Sequence, residues 1–309
     1  MVEGIVIRST GSWYVVRLPD GSNLNCRLRG QYRIRGIRTT NPVAVGDHVT
    51  VEGQDDGNGI IAEIHDRNNH IIRKATRLSK ASHIIAANLD LAILIATIDF
   101  PRTTTGFIDR FLVTAEAYHI PAAVVFNKID LYKEKQLKRL HELTTIYVDA
   151  GYAVLQLSAI TFNNLDSFAE LLHNKISLLT GHSGVGKSAL LNAVDPALNI
   201  RTGDISSFNN KGKHTTTFAE MHELTFGGWI VDTPGIKELG LYDFEKDTLA
   251  QRFPEMRRLM SACRFSNCSH VHEPGCAVLQ ALTNNAIAPS RYRSYLNMLN
   301  NDFTNENDY

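Results

Sequence analysis

Gly181-His182-Ser183-Gly184-Val185-Gly186-Lys187-Ser188 is the stretch on which the fold turns. It matches the pattern G-x-x-x-x-G-K-[ST], with an apolar strand-like run at 176–179 ahead of it and a helical Ala189-Leu190-Leu191-Asn192-Ala193 behind. A strand, a glycine-rich loop and a helix in that order let the backbone N–H groups from Gly181 to Ala189 turn inward around phosphates, and the helix N-terminus adds its positive end. Lys187 is placed to reach the β- and γ-phosphates and the Ser188 hydroxyl to ligate Mg²⁺. The bland alternative is an ordinary glycine-rich turn. Four constrained positions would recur by chance in roughly one per cent of chains this long, before the flanking elements are counted.

Three further motifs follow strand-like runs. Asn127-Lys128-Ile129-Asp130 comes after the apolar run 122–126. A carboxylate at Asp130 can accept from both N1–H and the N2 amine of guanine, whereas adenine offers no proton at N1 and leaves that charge unpaired. The Lys128 stem can cover the base, and Asn127 can tie this loop to the phosphate loop. Ser158-Ala159, after 153–157, supplies a backbone N–H for guanine O6, and Asp232-Thr233-Pro234-Gly235, after 229–231, supplies a carboxylate for Mg²⁺ through water and an N–H for the γ-phosphate. Each is a common turn sequence when taken alone; at the strand ends of one domain they reinforce each other. Thr215-Thr216-Thr217, preceded by Lys211-Gly212-Lys213-His214, falls where a phosphate-sensing loop belongs, and one of these threonines is expected on Mg²⁺. Many GTPases place a water-orienting Gln directly after Asp-x-x-Gly; here residue 236 is Ile, so His214 is the candidate for positioning water.

The order of these motifs is rotated. The guanine-type motifs precede the phosphate loop, and Asp232–Gly235 comes last, leading straight into the C-terminal region. A parallel sheet tolerates such a circular permutation because its strand ends still converge. Near-continuous apolar runs at 89–98 and 122–126, alternating with helical patterns at 108–118 and 133–149, read as a doubly wound α/β domain over 83–240.

Residues 1–66 read differently. Short alternating runs at 4–7, 13–18, 23–28, 48–52 and 60–64, separated by Pro19-Asp20-Gly21, Val45-Gly46-Asp47 and Asp56-Gly57-Asn58-Gly59, fit a small β-barrel of the OB-fold kind, with an SH3-like barrel giving a similar pattern. Arg27, Arg29, Arg33, Arg35 and Arg38, with Tyr32 among them, form a basic stretch without acids, a candidate RNA-binding face that is equally readable as a solvated loop. The segment 67–82, with Arg67, Arg73, Lys74, Arg77 and Lys80, reads as a basic linker. From 241 to 309 the pattern is helical. Cys263, Cys268, His270 and Cys276 give C-x4-C-x-H-x5-C, a set suited to one tetrahedral structural Zn²⁺, with His272 as a competing ligand. Cys26 stands alone and reads as a core residue.

The 309 residues carry 32 basic and 32 acidic side chains, so any RNA contact must come from local patches rather than a global field. Met1-Val2-Glu3-Gly4-Ile5 lacks a basic run before an apolar stretch, and the longest apolar run contains Asp90 and is too short to span a bilayer. A soluble, cytoplasmic monomer without membrane contact is expected.

Taken together, Gly181–Ser188, Lys213-His214-Thr215-Thr216-Thr217, Asp232-Thr233-Pro234-Gly235-Ile236 and Cys263–Cys276 resemble the circularly permuted ribosome-assembly GTPases of the RsgA (YjeQ/YloQ) family, over nearly the whole chain. The resemblance implies hydrolysis of GTP to GDP, binding to the small (30S) ribosomal subunit through 16S rRNA late in its maturation, stimulation by that subunit, and release afterwards.

Overall fold

The computed structural model describes residues 1–29, 42–55, 57–73, 83–200, 219–232 and 246–300. They fall into two compact units, one of 1–92, 166–180 and 187–240, the other of 93–165, 181–186 and 241–309.

The first unit opens with five strands: β1 (Val2–Ser9), β2 (Tyr14–Arg17), β3 (Asn23–Leu28), β4 (His48–Gly53) and β5 (Gly59–Ile64). Their alternation sends Val6, Val16, Cys26, Val49, Val51 and Ile61 inward, where each is essentially inaccessible to solvent. Burying an Ile or Val side chain of this kind contributes roughly 1.5–3 kcal/mol, which is why the period-two pattern sets each strand's face. β1 pairs antiparallel with β2 and β2 with β3; β3 runs parallel to β5; β5 pairs with β4 and β4 returns to β1. That closure, with one parallel contact, is the OB-type barrel rather than the SH3-like alternative. Cys26 lies in its core, and burial pushes its thiol up to about 11.

Residues 70–73, read from sequence as linker, are a strand. β6 (His70–Arg73) pairs antiparallel with β7 (His83–Ala87). Arg67 is not a free linker cation either: its Nε and one amino group donate to the two oxygens of the buried Asp47 carboxylate, both at 2.6 Å, and its guanidinium also reaches Pro42 O. A four-residue strand whose partner begins ten residues later leaves almost no periodicity to read. Lys74, Arg77 and Lys80 lie outside the described residues.

The same unit contains β11 (Ile176–Thr180), α4 (Lys187–Val194), β12 (Glu220–Glu223) and β13 (Trp229–Asp232). β11 and β13 are parallel, and β12 returns antiparallel to β13. β12 has the polar sequence Glu-Met-His-Glu and escaped the sequence reading because only Met221 faces the core. It also meets the barrel, where Arg8 lies opposite Glu220 and forms an ion pair with it.

The second unit holds most of β8 (Leu91–Ala96), then α1 (Thr105–Ala117), β9 (Ala122–Phe126), α2 (Glu134–Ala150) and β10 (Ala153–Gln156), with β8 beside β9 and β9 parallel to β10. β8 is buried at every position, as a strand in the middle of a sheet covered on both faces must be. Thr104 caps α1 by accepting from Phe107 N at 3.3 Å. α2 is amphipathic, burying Leu140, Leu143, Tyr147 and Ala150, and it stops at Gly151, whose φ of 109° only glycine adopts freely. The tail adds the one-turn helices α5 (Lys246–Leu249) and α6 (Pro254–Arg257), then α7 (Ala277–Thr283) and α8 (Pro289–Leu299). Val113 of α1 shares a core with Phe253, Met256, Val278, Ile287, Tyr295 and Met298 of the tail. Between the two ends of the chain, α3 (Leu165–Leu172) precedes β11. Among the described residues no helix is long and apolar enough to cross a membrane.

Candidate functional site

The site is assembled around Asn127, at the end of β9 and 1% exposed. Its amide donates to Val185 O in the glycine-rich loop at 2.9 Å, and its Oδ1 accepts from Lys128 N at 2.8 Å and from Ala159 N at 3.3 Å. One side chain thus joins three of the four motifs. Its own backbone is pinned as well: Asn127 N donates to Ala96 O, and Asn127 O accepts from the Tyr132 hydroxyl at 2.7 Å, which in turn accepts from Ile98 N. Tyr132 was not singled out in the sequence, because a tyrosine two residues past Asp130 carries no signal until the loop is folded.

Lys128 takes a left-handed backbone conformation, φ 64°, which turns the chain after β9. Its Nζ donates to Phe100 O at 2.7 Å and Gly184 O at 2.6 Å, so the stem is stretched along the mouth of the loop. Asp130 accepts from the Ser158 hydroxyl, and that hydroxyl oxygen accepts from Ile160 N and Thr161 N. Ile129 N donates to Leu157 O at 3.3 Å. The Asp130 carboxylate is therefore oriented by a buried serine while the residue itself stays exposed to a ligand.

The glycine-rich loop needs its glycines. A Cβ on Gly186, at φ 97°, would stand 2.5 Å from Asn127 Nδ2, and one on Gly181 would stand 2.3 Å from Ile95 O. Both glycines exist because backbone passes where a side chain cannot. His182 stacks on Phe107 of α1, ring centroids 4.0 Å apart and 32° between planes. Ser183 and Gly184 are exposed at the crest and Val185 is buried beneath it. Helix α4 begins at Lys187 with Ser188 buried in its first turn and Ala189 next, so the positive end of the helix follows directly on the loop. Asp232 ends β13, in register with Glu220. His214, Thr215, Thr216, Thr217, Gly235 and Ile236 lie outside the described residues.

A second cluster lies in the tail. The ligand atoms of Cys263, Cys268, His270 and Cys276 all fall within 4.8 Å of one another, and this set can hold a metal ion. Cys263 Sγ is 3.6 Å from His270 Nδ1 and 4.0 Å from Cys276 Sγ, and His270 Nδ1 is 3.4 Å from Cys276 Sγ. Bonds of about 2.3 Å to sulfur and 2.0–2.1 Å to nitrogen around one centre produce separations of this size. His270 is buried, and desolvation lowers its pKa, favouring the neutral imidazole that ligates. Burial pushes the Cys268 thiol up to about 12, with the neighbouring Cys276 adding to the effect. A bound cation is what would hold such crowded thiols as thiolates, so metal affinity weakens as pH falls. His272 is exposed and is not one of the four clustered ligand groups. The tail supports the cluster through Tyr292 and Tyr295, whose hydroxyls donate to His270 O and Ser269 O at 2.8 and 2.6 Å.

Of the basic residues on the barrel, Arg27 stacks over Trp13, 4.0 Å from the ring centroid, and Arg29 is paired with Glu52. Arg33, Arg35 and Arg38 lie outside the described residues.

A glycine-rich phosphate loop joined by Asn127 to a guanine-type loop, both in an α/β domain whose motifs run in rotated order, defines a circularly permuted P-loop GTPase. The comparisons with known proteins are specific. Residues 64–242 match the RsgA GTPase family and 3–61 the RsgA N-terminal domain. The chain is 49% identical over 298 residues to "Small ribosomal subunit biogenesis GTPase RsgA 2" of Bacteroides thetaiotaomicron, covering 96% of each, and 49% identical over 306 residues to the RsgA of Porphyromonas gingivalis, covering 97% of each. Among solved structures, YjeQ from Thermotoga maritima matches with TM-score 0.81 and 35% identity, covering 98% of this chain and 99% of that one. YloQ, described as a circularly permuted GTPase, matches with TM-score 0.77 and 30% identity, covering 98% and 95%. This chain belongs to the RsgA family of GTPases.

Proposed function

We propose that this GTPase acts in the maturation of the small ribosomal subunit in the cytoplasm, binding the 30S particle through 16S rRNA and leaving it once GTP is hydrolysed to GDP and phosphate. The observation that carries the nucleotide half of this reading is Asn127, whose side chain holds the base-reading and phosphate-binding loops in one arrangement. The assembly half rests on the names of relatives that match along nearly their whole length.

In this reading Asp130 accepts from guanine N1–H and N2, with Ser158 fixing its orientation, and Ala159 N exchanges its long bond to Asn127 for guanine O6. Lys128 and Ile129 flank the base. The N–H groups from Gly181 to Ala189 surround the phosphates, Lys187 neutralises the charge that develops on the β–γ bridge, and one of Thr215, Thr216 and Thr217, together with Gly235, meets the γ-phosphate. Ser188, and Asp232 through water, are the residues that would hold Mg²⁺. His214 positions the attacking water. Residues 1–66, with Arg27, Arg29, Arg33, Arg35 and Arg38, serve as the RNA-binding barrel, 83–240 as the nucleotide domain and 241–309 as the metal-bearing tail of a monomer. One Zn²⁺ bound by Cys263, Cys268, His270 and Cys276 has a structural role, since four protein ligands leave no open position.

Ile236, in the place of a water-orienting Gln, favours a second reading, a nucleotide-gated RNA-binding switch with negligible turnover. Hydrolysis measured with and without small ribosomal subunits decides between them. Slow GTP turnover that rises at least about 100-fold with subunits, with ATP inert, is expected for the first; turnover unmoved by subunits that nevertheless bind the GTP form establishes the second.

The metal has its own test. Elemental analysis is expected to find one zinc per chain. Cys276→Ser should weaken binding at least about 100-fold, beyond the 10–100-fold typical of losing a mere supporting group. A chain that purifies without metal and keeps its melting temperature in chelator would refute the structural role.

A further inference from the structure

We propose that the metal-bearing tail and the phosphate loop are energetically coupled through α1, with Phe107 as the positioning residue at the loop end and Arg291 as the anchor at the tail end. This rests on guanine-nucleotide binding at the phosphate loop. It adds a route by which a partner seated on the tail changes the hold on nucleotide.

Phe107 and Asp109 are two residues apart on α1, hence roughly 200° apart around the helix. One side of α1 thus presents Phe107, nearly buried, to His182 of the phosphate loop, at 4.0 Å between ring centroids. The other side presents Asp109, which is fully buried, to α8. There the Arg291 guanidinium donates to Asp109 Oδ1 at 2.8 Å, and the Ser294 hydroxyl donates to the second oxygen. Arg291, 1% exposed, also donates to both oxygens of Glu255 on α6, at 2.7 and 3.2 Å. From the same helix, Tyr292, the next residue, and Tyr295, one turn on, reach the carbonyls of His270 and Ser269 in the segment that carries the cluster. Arg257, also on α6, pairs with Glu116 near the far end of α1 at 2.8 Å.

The result is a continuous series in which two helices join the side-chain contacts: cluster carbonyls to the α8 tyrosines, the α8 backbone to Arg291, Arg291 to Asp109, the α1 backbone to Phe107, and Phe107 to His182. Buried charge pairs and stacked rings are packed in discrete arrangements, so a shift of α8 against the cluster is passed on rather than absorbed. Coupling between sites is reciprocal, so nucleotide binding also alters the tail. Ordinary core packing accounts for α1 being buried. It does not require that a change at Tyr292 and Tyr295 be felt at the nucleotide.

A double-mutant cycle on the full chain, read by titration with a fluorescent GDP analogue, separates the two. Tyr292→Phe with Tyr295→Phe removes only the two hydroxyls from the cluster. This pair is expected to change GDP affinity at least about fivefold, the lower end of ordinary coupling between sites. In a Phe107→Leu background the same pair should change it less than about twofold, and in a Phe107→Tyr background, which keeps the ring, the full effect should return. Ser294→Ala, the mildest break at Asp109, should reproduce the shift in weaker form, with a smaller fall in melting temperature than loss of the Arg291 guanidinium causes. A pair that leaves GDP affinity within about twofold, or fold-changes that simply multiply in the combined variant, overturns the coupling while nucleotide binding stands. A native chain that binds no GDP overturns both.

Discussion

Asp130→Asn will lower GTP affinity by about 100- to 1,000-fold and confer measurable affinity for xanthosine triphosphate. The native carboxylate can take two hydrogen bonds from guanine, and bonds to a charged acceptor are worth roughly 1.5–3 kcal/mol each. An amide keeps one acceptor for N1–H but turns an N–H toward the guanine N2 amine, donor against donor. Xanthine carries a carbonyl at that ring position, so the amide donates to it and the pair is restored. The Ser158 hydroxyl, which donates to Asp130, can donate equally to the amide oxygen, so the loop itself should keep its shape. The phosphate loop is untouched, and the loss should appear in nucleotide affinity rather than in melting temperature. Competition titration of GTP, xanthosine triphosphate and ATP against a fluorescent nucleotide provides the check. Unchanged discrimination between GTP and xanthosine triphosphate would mean that the base is read elsewhere.

Arg291→Met will cost about 3–5 kcal/mol of stability, the usual penalty for stranding buried charges whose partner has gone. For a chain of this size that lowers the melting temperature by about 6–20 °C. Asp109 is fully buried and Glu255 nearly so, and neither can reach water when the guanidinium is removed. In the native protein burial already pushes the Asp109 carboxyl upward, and Arg291 opposes that shift. Without Arg291 only the hydrogen bonds from Ser294 and Tyr147 oppose it, so the folded variant binds protons that its unfolded form releases. Its stability must then be greatest in mild acid and fall as pH rises toward neutrality. Calorimetry of Arg291→Met from pH 5 to 8 should show this descent. Arg291→Met combined with Asp109→Asn and Glu255→Gln should recover part of the loss and flatten the pH dependence, because neutral amides are cheaper to bury. A single variant as stable as the native chain at pH 8 would show that water reaches these carboxylates.

The legible parts of this protein share a property. Asn23–Leu28 and Ala122–Phe126 are strands with the bounds their apolar patterns indicate, because alternation and continuous burial leave their mark within a few residues. The phosphate loop was readable for a similar reason: its glycines answer to local backbone geometry, and Lys187-Ser188 sits one step further along the same loop. The cysteines and histidine that share the tail cluster lie within fourteen residues, close enough for spacing to announce them. His270 rather than His272 needed the structure, since both fit the spacing and only burial among the sulfurs separates them.

What the sequence determined by itself, then, is the set of short-range devices: barrel strands, parallel strands, phosphate loop, guanine-type loop, the cysteine and histidine cluster, and their rotated order. Which distant groups meet was settled by folding. The parallel β3–β5 contact closes the barrel as an OB-type fold. Arg67 and Arg29, basic residues by composition, prove to be committed to Asp47 and Glu52. Asp109 and Arg291 find each other across 182 positions of chain, and Tyr132 supports Asn127 only once its loop has formed. Local propensity and periodicity are written in neighbouring residues because the energies that set them act over one turn or one pleat. A buried charge pair is specified by desolvation and by packing from several elements at once, and no window of sequence contains those elements together.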